Sequence, residues 1–316
     1  MPATGFVENP LMYELVVIGA GPAGLAAALF AAGQRIKVVV VAPEVGGQAL
    51  HSTHVANYMG FDQIAGSRLV ERFEQQIREY YIQHIADAVA RLQHPSDSFD
   101  LALEGGGSVQ ARSVVVASGM IPNRLSVPGE SEFTNLGVSY YADNYGPTAH
   151  DKNVLVVGGG NSALQAVLEV APIARKVQAI TRSGWTGEPA KIDAVNQFDN
   201  VEMLPPSNVV RIEGRGVVEA VVVEAVEDGE LRSLPIDLVF VQIGFHPSTQ
   251  CAGHLVKLND RREIIVGRDN ATDVPGIFGA GDCTEGIGKE IAVADGDGAR
   301  AALSAKSFIR SRTWAT

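Results

Sequence analysis

Cysteine is nearly absent: the 316 residues hold only Cys251 and Cys283. They form no CxxC pair, and a structural disulfide between them is not expected in a reducing compartment. With seven histidines and these two cysteines, no metal-ligand spacing occurs, so no metal is expected. Basic residues are in deficit, 25 against 36 acidic ones for a formal charge of −11, which repels polyanions and argues against nucleic acid as a partner. No apolar run approaches the roughly 20 residues that cross a bilayer. The start MPATGFVENP lacks the basic and apolar stretches of a leader, so the expectation is a cytoplasmic protein with no membrane partner. Aromatics are scarce at 6%, yet three of the seven tyrosines crowd into VSYYADNYGP, Val138 to Pro147.

What is present is a globular composition, 46% hydrophobic and 19% charged, over a length that suits two domains. From Tyr13 the chain reads YELVVIG, AGPAG, LAAALFAA: an apolar strand, a glycine turn and a small-residue helix. Gly19, Gly21 and Gly24, with Pro22 and Ala23 between them, have the G-x-G-x-x-G spacing. In that spacing the glycines permit a tight turn, close approach to a pyrophosphate, and packing of the helix on the sheet. A second strand, IKVVVV, completes a Rossmann unit of about 30 residues. Glu44, just beyond it, is the candidate for the adenosine ribose. EVGGQ and HVANYMGF follow, then a helix expected from about Ser67 to Tyr81, the strand SVVVASG, and the irregular IPNRLSVPGE.

A second unit opens at Asn153 with NVLVVGGGNSALQAVLEV. Gly158, Gly160 and Ala163 repeat the fingerprint around Asn161 and Ser162, and the strand KVQAIT leads to Arg182. Strands at VVEAVVVEAV and LVFVQIG precede GFHPST, then VPGIFGAGDCTEG and a long helix from about Lys289. The expected fold is α/β, with two Rossmann-like, doubly wound, three-layer nucleotide-binding domains.

GAGPAG, GGQ, the ASG turn, GGGNSA, GFHP and PGIFGAGD, in this order and spacing, resemble the low-molecular-weight thioredoxin reductases over about Tyr13 to Phe308. These are flavoproteins of the pyridine nucleotide-disulfide oxidoreductase superfamily. The resemblance implies a discontinuous FAD-binding domain, residues 1–123 and 243–316, an inserted NAD(P)-binding-like domain, 124–242, and a homodimer. It places Gly19, Gly21 and Gly24 at the FAD pyrophosphate, Gly47 and Gln48 at the cofactor's centre, and Asn57 at the isoalloxazine edge. Gly281 and Asp282 fall at the ribityl chain. Lys289, Glu290 and Ile291 fall at a helix amino terminus beside the flavin's pyrimidine end, with backbone rather than side chains making the contact.

Two departures stand out. Aligning Val138, Ser139 and Gly146 with the family puts Tyr141, Ala142, Asp143 and Asn144 where its redox-active CxxC lies. Without thiols this loop cannot exchange disulfides, which requires a thiolate. Tyr141 and Asn144 become the candidate flavin-facing residues, Tyr141 by stacking on the ring or by packing a domain interface. The second departure is in the other nucleotide site. No acid ends KVQAIT to hold a free ribose, Arg182 is the candidate for an NADP 2′-phosphate, and the family's further arginines are missing, with Lys191 a partial substitute. Cys283 beside Asp282 reads as a small buried hydrophobe sooner than a reactive thiol, and His51 and His54 as packing or surface residues.

The leading reading is an FAD-dependent oxidoreductase without a dithiol, passing electrons directly at the flavin, from NADPH to a redox-protein or small-molecule acceptor in the manner of ferredoxin-NADP reductases. One alternative is a pyridine-nucleotide-independent flavoenzyme fed by a ferredoxin-like donor or a second bound flavin. Another is a low-turnover structural or sensory flavin-binding dimer.

Overall fold

The computed structural model describes residues 12–52, 55–94, 97–141 and 146–314. The chain divides into two compact units, Met1–Ile121 with His246–Thr316, and Pro122–Phe245. Among the described residues the helices are α1 (Pro22–Gly33), α2 (Gly66–Glu79), α3 (Asn161–Val170), α4 (Pro189–Val195) and α5 (Ile291–Arg310).

In the first unit the runs LVVI and VVVV form strands Leu15–Ile18 and Val38–Val41, with every residue buried. Burial on both faces is what a parallel strand covered by two layers requires. The sheet is parallel throughout, in the order Ile277–Gly279, Val114–Val116, Leu15–Ile18, Val38–Val41, Gln83–Ile85. Because side chains alternate along a strand, Leu15, Val17, Val38, Val40 and Val115 enter one core with α1 and α5. Val16, Ile18, Val39, Val41, Val114 and Val116 enter a second core. That second face is covered by a smaller sheet, Met12–Tyr13, Ser108–Ala111, Phe99–Leu103 and Val89–Gln93, which contributes Leu92, Phe99, Leu101 and Val109.

Helix α1 is apolar on all sides because it lies between the sheet and α5. Its small residues let the two helices approach closely: a Cβ on Gly298 would stand 2.0 Å from the Ala23 carbonyl oxygen. This contact seats Gly298, the eighth residue of α5, on the first turn of α1. Helix α5 begins at Ile291 rather than at Lys289, and Lys289 belongs to the preceding loop.

The second unit repeats the plan, with parallel order Val138–Ser139, Leu238–Val241, Asn153–Val157, Lys176–Ile180, Val201–Met203. Helices α3 and α4 cover one face, through Ala163, Leu164, Val167 and Val195. An antiparallel meander, Ser207–Gly214, Val218–Ala225 and Leu231–Pro235, supplies residues to the core on the other face. The unit closes where the chain enters and leaves it: Asn123 N donates to Gly244 O at 2.9 Å, and Asn123 Nδ2 to Ile243 O at 3.0 Å. Among the described residues no helix is long and apolar enough to cross a membrane.

Candidate functional site

In the first unit, α1 leads from Leu15–Ile18 to Val38–Val41 on one side, while Val114–Val116 lies on the other. The strand order therefore reverses at the carboxyl end of Leu15–Ile18, the position at which open α/β sheets bind ligands. The glycine turn sits there. Gly19 has φ +104°, and a Cβ on it would lie 2.3 Å from Ala117 O; a Cβ on Gly24 would lie 1.9 Å from Gly19 O. Only glycine fits these two positions, and together they seat α1 against the strand.

Two further loops close on the turn. Gly46 N donates to Ala20 O at 2.8 Å, and Gly47, at φ +53°, would place a Cβ 3.1 Å from Gly21 Cα. Gly281, at φ +71°, would place one 2.8 Å from Ala23 Cβ. Gly21, the N-cap of α1, has no side chain to satisfy the helix's first N–H groups, and Pro22 occupies the first turn. An uncapped helix end of this kind favours a negatively charged group such as a phosphate. Gln48 Nε2 donates to Met120 O at 3.1 Å, which fixes the adjoining loop. Glu44 lies exposed beyond the strand end.

The acids around this cradle are placed unequally. Asp282 is half-buried and has no side-chain hydrogen bond among the described residues; burial pushes its carboxyl above the ordinary range, and Glu290 and Asp297 add to this while Lys289 opposes it. A carboxylate held this way is ready to accept from hydroxyl groups, so the donor and acceptor set fits an FAD-type dinucleotide. Lys289 is committed elsewhere: Nζ donates to Asp282 O at 3.0 Å and Thr284 O at 2.6 Å, and pairs with Glu263 Oε1 at 3.0 Å. Burial raises the carboxyl of Glu263, but hydrogen bonds from Asn259 and Lys289 outweigh it and bring the net shift below the ordinary range. The Lys289 side chain therefore braces the 281–284 loop.

Asn57 and Glu290, 233 positions apart in sequence, meet directly, with Asn57 Nδ2 donating to Glu290 Oε2 at 2.9 Å. Next to this pair, Tyr58 OH donates to Asp295 Oδ2 at 2.6 Å. Burial, with this bond second, raises the Tyr58 hydroxyl, and burial raises the Asp295 carboxyl. Tyr58 and Asp295 escaped sequence reasoning; an acid in the second turn of the helix that follows Lys289 and Glu290 was the available signal.

In the second unit, Gly158 has φ +146°, and a Cβ on it would lie 2.1 Å from Gln242 O. Gly160 is the N-cap of α3, again without a side-chain cap. Asn161 and Ser162 are exposed at the first turn. The segment after Lys176–Ile180 folds onto this turn: Thr186 N and Gly187 N donate to Gly159 O at 2.7 and 3.1 Å. Glu188 N donates to Asn161 Oδ1 at 2.7 Å, and Asn161 Nδ2 to Glu188 Oε1 at 3.0 Å. Arg182 is exposed and forms no ion pair among the described residues, and Lys191 is half-buried. Glu188, not singled out from sequence, thus brings a carboxylate to the amino end of α3.

The tyrosine segment divides by role. Tyr140 is buried, and its hydroxyl donates to Glu130 Oε1 at 2.9 Å. Glu130 is itself buried and accepts from Leu125 N and Ser126 N. Tyr141 is half-buried, with its ring 6.1 Å from that of Phe245. Asn144 and His54 lie outside the described residues. Cys251 and Cys283 are both free and buried in one core, and burial pushes the Cys251 thiol up to about 11 and raises that of Cys283. Among the described residues no cluster suits a metal ion. A cavity of about 410 Å³ in the second unit, lined by Asn153, Arg175, Lys176 and Glu202 among others, lies at the amino ends of its strands, away from the glycine turn.

Residues 13–298 match the pyridine nucleotide-disulphide oxidoreductase family. A Bacillus subtilis NADH dehydrogenase is 34% identical over 302 residues, 94% of this chain and 58% of that protein. A component of the alkyl hydroperoxide reductase of Staphylococcus aureus is 31% identical over 96% of this chain and 60% of its own. The chain thus spans about three fifths of these curated relatives. Among solved structures, a thioredoxin reductase of Lactococcus lactis aligns with a TM-score of 0.80 and 26% identity, covering 95% of this chain and all of that one.

Proposed function

The chain belongs to the pyridine nucleotide-disulphide oxidoreductase family, and from that premise we propose an FAD-dependent oxidoreductase that passes electrons directly at the flavin without a dithiol relay. The observation that carries this reading is the pair of uncapped glycine turns, one in each unit, in a chain with no exchange-competent thiol. The first-unit turn, with Gly47 and Gly281 closing on it and Asp282 left free to accept, is assigned to FAD. When bound, FAD supplies hydride acceptance and onward electron transfer. The protein's part is to hold the phosphates at α1, accept hydroxyl groups at Asp282 and present polar groups from Asn57 and the start of α5.

The second-unit turn is assigned to a reduced pyridine nucleotide. No acid stands at the end of Lys176–Ile180 to hold a free ribose, so Arg182 favours NADPH over NADH. Residues 1–123 with 243–316 form the FAD-binding part and 124–242 the nucleotide-binding part of this assignment. The acceptor is a redox protein or a small molecule, and the assembly a cytoplasmic homodimer. Tyr141 and Asn144 replace the dithiol as flavin-facing residues. The comparisons lend no support to a second bound flavin.

One observation favours a second reading, in which electrons enter from a ferredoxin-like protein: the Glu188 carboxylate lies on the amino end of α3, where it repels a pyrophosphate. Anaerobic titration of flavin-quantified protein, followed by visible absorbance, separates the two. Bleaching by stoichiometric NADPH, with NADH weaker, supports the first reading. A flavin that stays oxidised with both, yet is reduced chemically, overturns it in favour of the second.

A further inference from the structure

The hydrogen bond between Asn57 and Glu290 has a direction that chemistry fixes. The two ends of an amide are hard to tell apart by shape, but an ionised carboxylate only accepts. Asn57 therefore spends one of its two Nδ2 hydrogens on Glu290 Oε2, at 2.9 Å, which turns its carbonyl oxygen Oδ1 away from the carboxylate. Glu290 is the N-cap of α5, yet its side chain makes no cap bond to its own helix, so its carboxylate is committed outward, to Asn57.

The charge around it is lopsided. Asp282, Asp295 and Asp297 lie about the same helix start, and Glu290 and Asp297 both raise the Asp282 carboxyl, with Lys289 acting against them. Lys289, adjacent in sequence, is tied to Glu263, and Arg300 to Asp297 at 3.2 Å. The amino end of a helix carries roughly half a positive charge. A full negative charge on Glu290 outweighs it, and the neighbouring acids point the same way.

We propose that Glu290 is a positioning residue for the flavin: it locks the Asn57 amide with its carbonyl presented to the isoalloxazine, and its charge holds the bound flavin at a lower reduction potential. The inference rests on the FAD assignment. An acceptor at Asn57 matches a ring N–H, and a fixed anion opposes added electron density on the ring. Glutamine at position 290 keeps the shape but both donates and accepts, so it removes the constraint and the charge together.

The test is the midpoint potential of the full chain, purified with its FAD content measured, by anaerobic equilibration against reference dyes. E290Q should ease reduction by about tenfold, which for a two-electron couple is about 30 mV in the positive direction. In an N57L background the same substitution should give a clearly smaller shift, because the two residues act as a pair. An unchanged potential in fully flavin-loaded E290Q overturns the inference, and an equal shift in both backgrounds overturns the positioning role. Failure of the wild type to bind FAD at all is a different result, which removes the FAD assignment itself.

Discussion

Gly47 rests against Gly21, so that a Cβ on Gly47 would stand 3.1 Å from the Gly21 Cα. Two backbone segments thus meet with no side chain between them at the mouth of an uncapped helix. Gly47→Val meets both this contact and an unfavourable φ of +53°. The expected result is protein purified with little or no flavin, read from the ratio of visible to ultraviolet absorbance, with a stability loss of about 1–3 kcal/mol by denaturant melt.

Asp282 couples binding to stability. Burial raises its carboxyl pKa in the folded state. The fold therefore holds that proton more tightly than the unfolded chain does. Stability of the flavin-free protein then falls as pH rises from the ordinary carboxylate value of about 4 through the raised folded value. D282N escapes this loss. Flavin-free D282N should be at least as stable as the wild type at pH 7 and gain nothing at pH 4, by urea midpoints, while binding FAD about tenfold or more weakly.

The thiols are the wrong ones for disulfide exchange. With both buried and both thiol pKa values raised, almost no thiolate is present near neutral pH. The double variant C251S/C283S should reduce a dye acceptor at the wild-type rate, and neither protein should reduce thioredoxin in an insulin-precipitation assay. Thioredoxin reduction by the wild type would contradict the direct-transfer reading.

These assignments were unevenly legible in the sequence. Both glycine turns could be read in advance because strand, turn and helix are contiguous, with Gly19 and Gly158 at positive φ and Gly24 closed against Gly19 within the same turn. The partnership of Asn57 with Glu290, and of Tyr58 with Asp295, could not, because each joins the loop before α2 to the start of α5, 233 and 237 positions away. The sequence also could not divide the adjacent tyrosines. Only the fold shows Tyr140 turned toward buried Glu130 and Tyr141 packed near Phe245. The bracing role of Lys289 was hidden for the same reason, since its partner Glu263 sits in a different loop.

That division of the tyrosines is itself testable. Tyr140→Phe deprives Glu130 of one of its hydrogen-bond donors and should cost about 1–3 kcal/mol in denaturant melts, with flavin reduction unchanged. Tyr141→Ala should instead change the flavin spectrum or its reduction rate, measured by stopped flow. Identical spectra and rates would count against Tyr141 as a flavin-facing residue.

Arg182 sets the expected nucleotide preference. A charge-assisted bond is worth roughly 1.5–3 kcal/mol, so R182A should weaken NADPH by about tenfold to a hundredfold. NADH, which lacks the 2′-phosphate, should be nearly unaffected. Calorimetric titration of both nucleotides checks this, and equal losses for the two would assign Arg182 some other duty.

The close seating of Gly298 on Ala23 also orders events in time. Residues near position 20 and near position 298 must both be available before that contact, and the cradle beside it, can form. The unit Pro122–Phe245 is continuous in sequence and free of that requirement. During synthesis it is complete before α5 is made, whereas the first glycine turn must wait for α5, so cofactor loading belongs among the last steps of maturation.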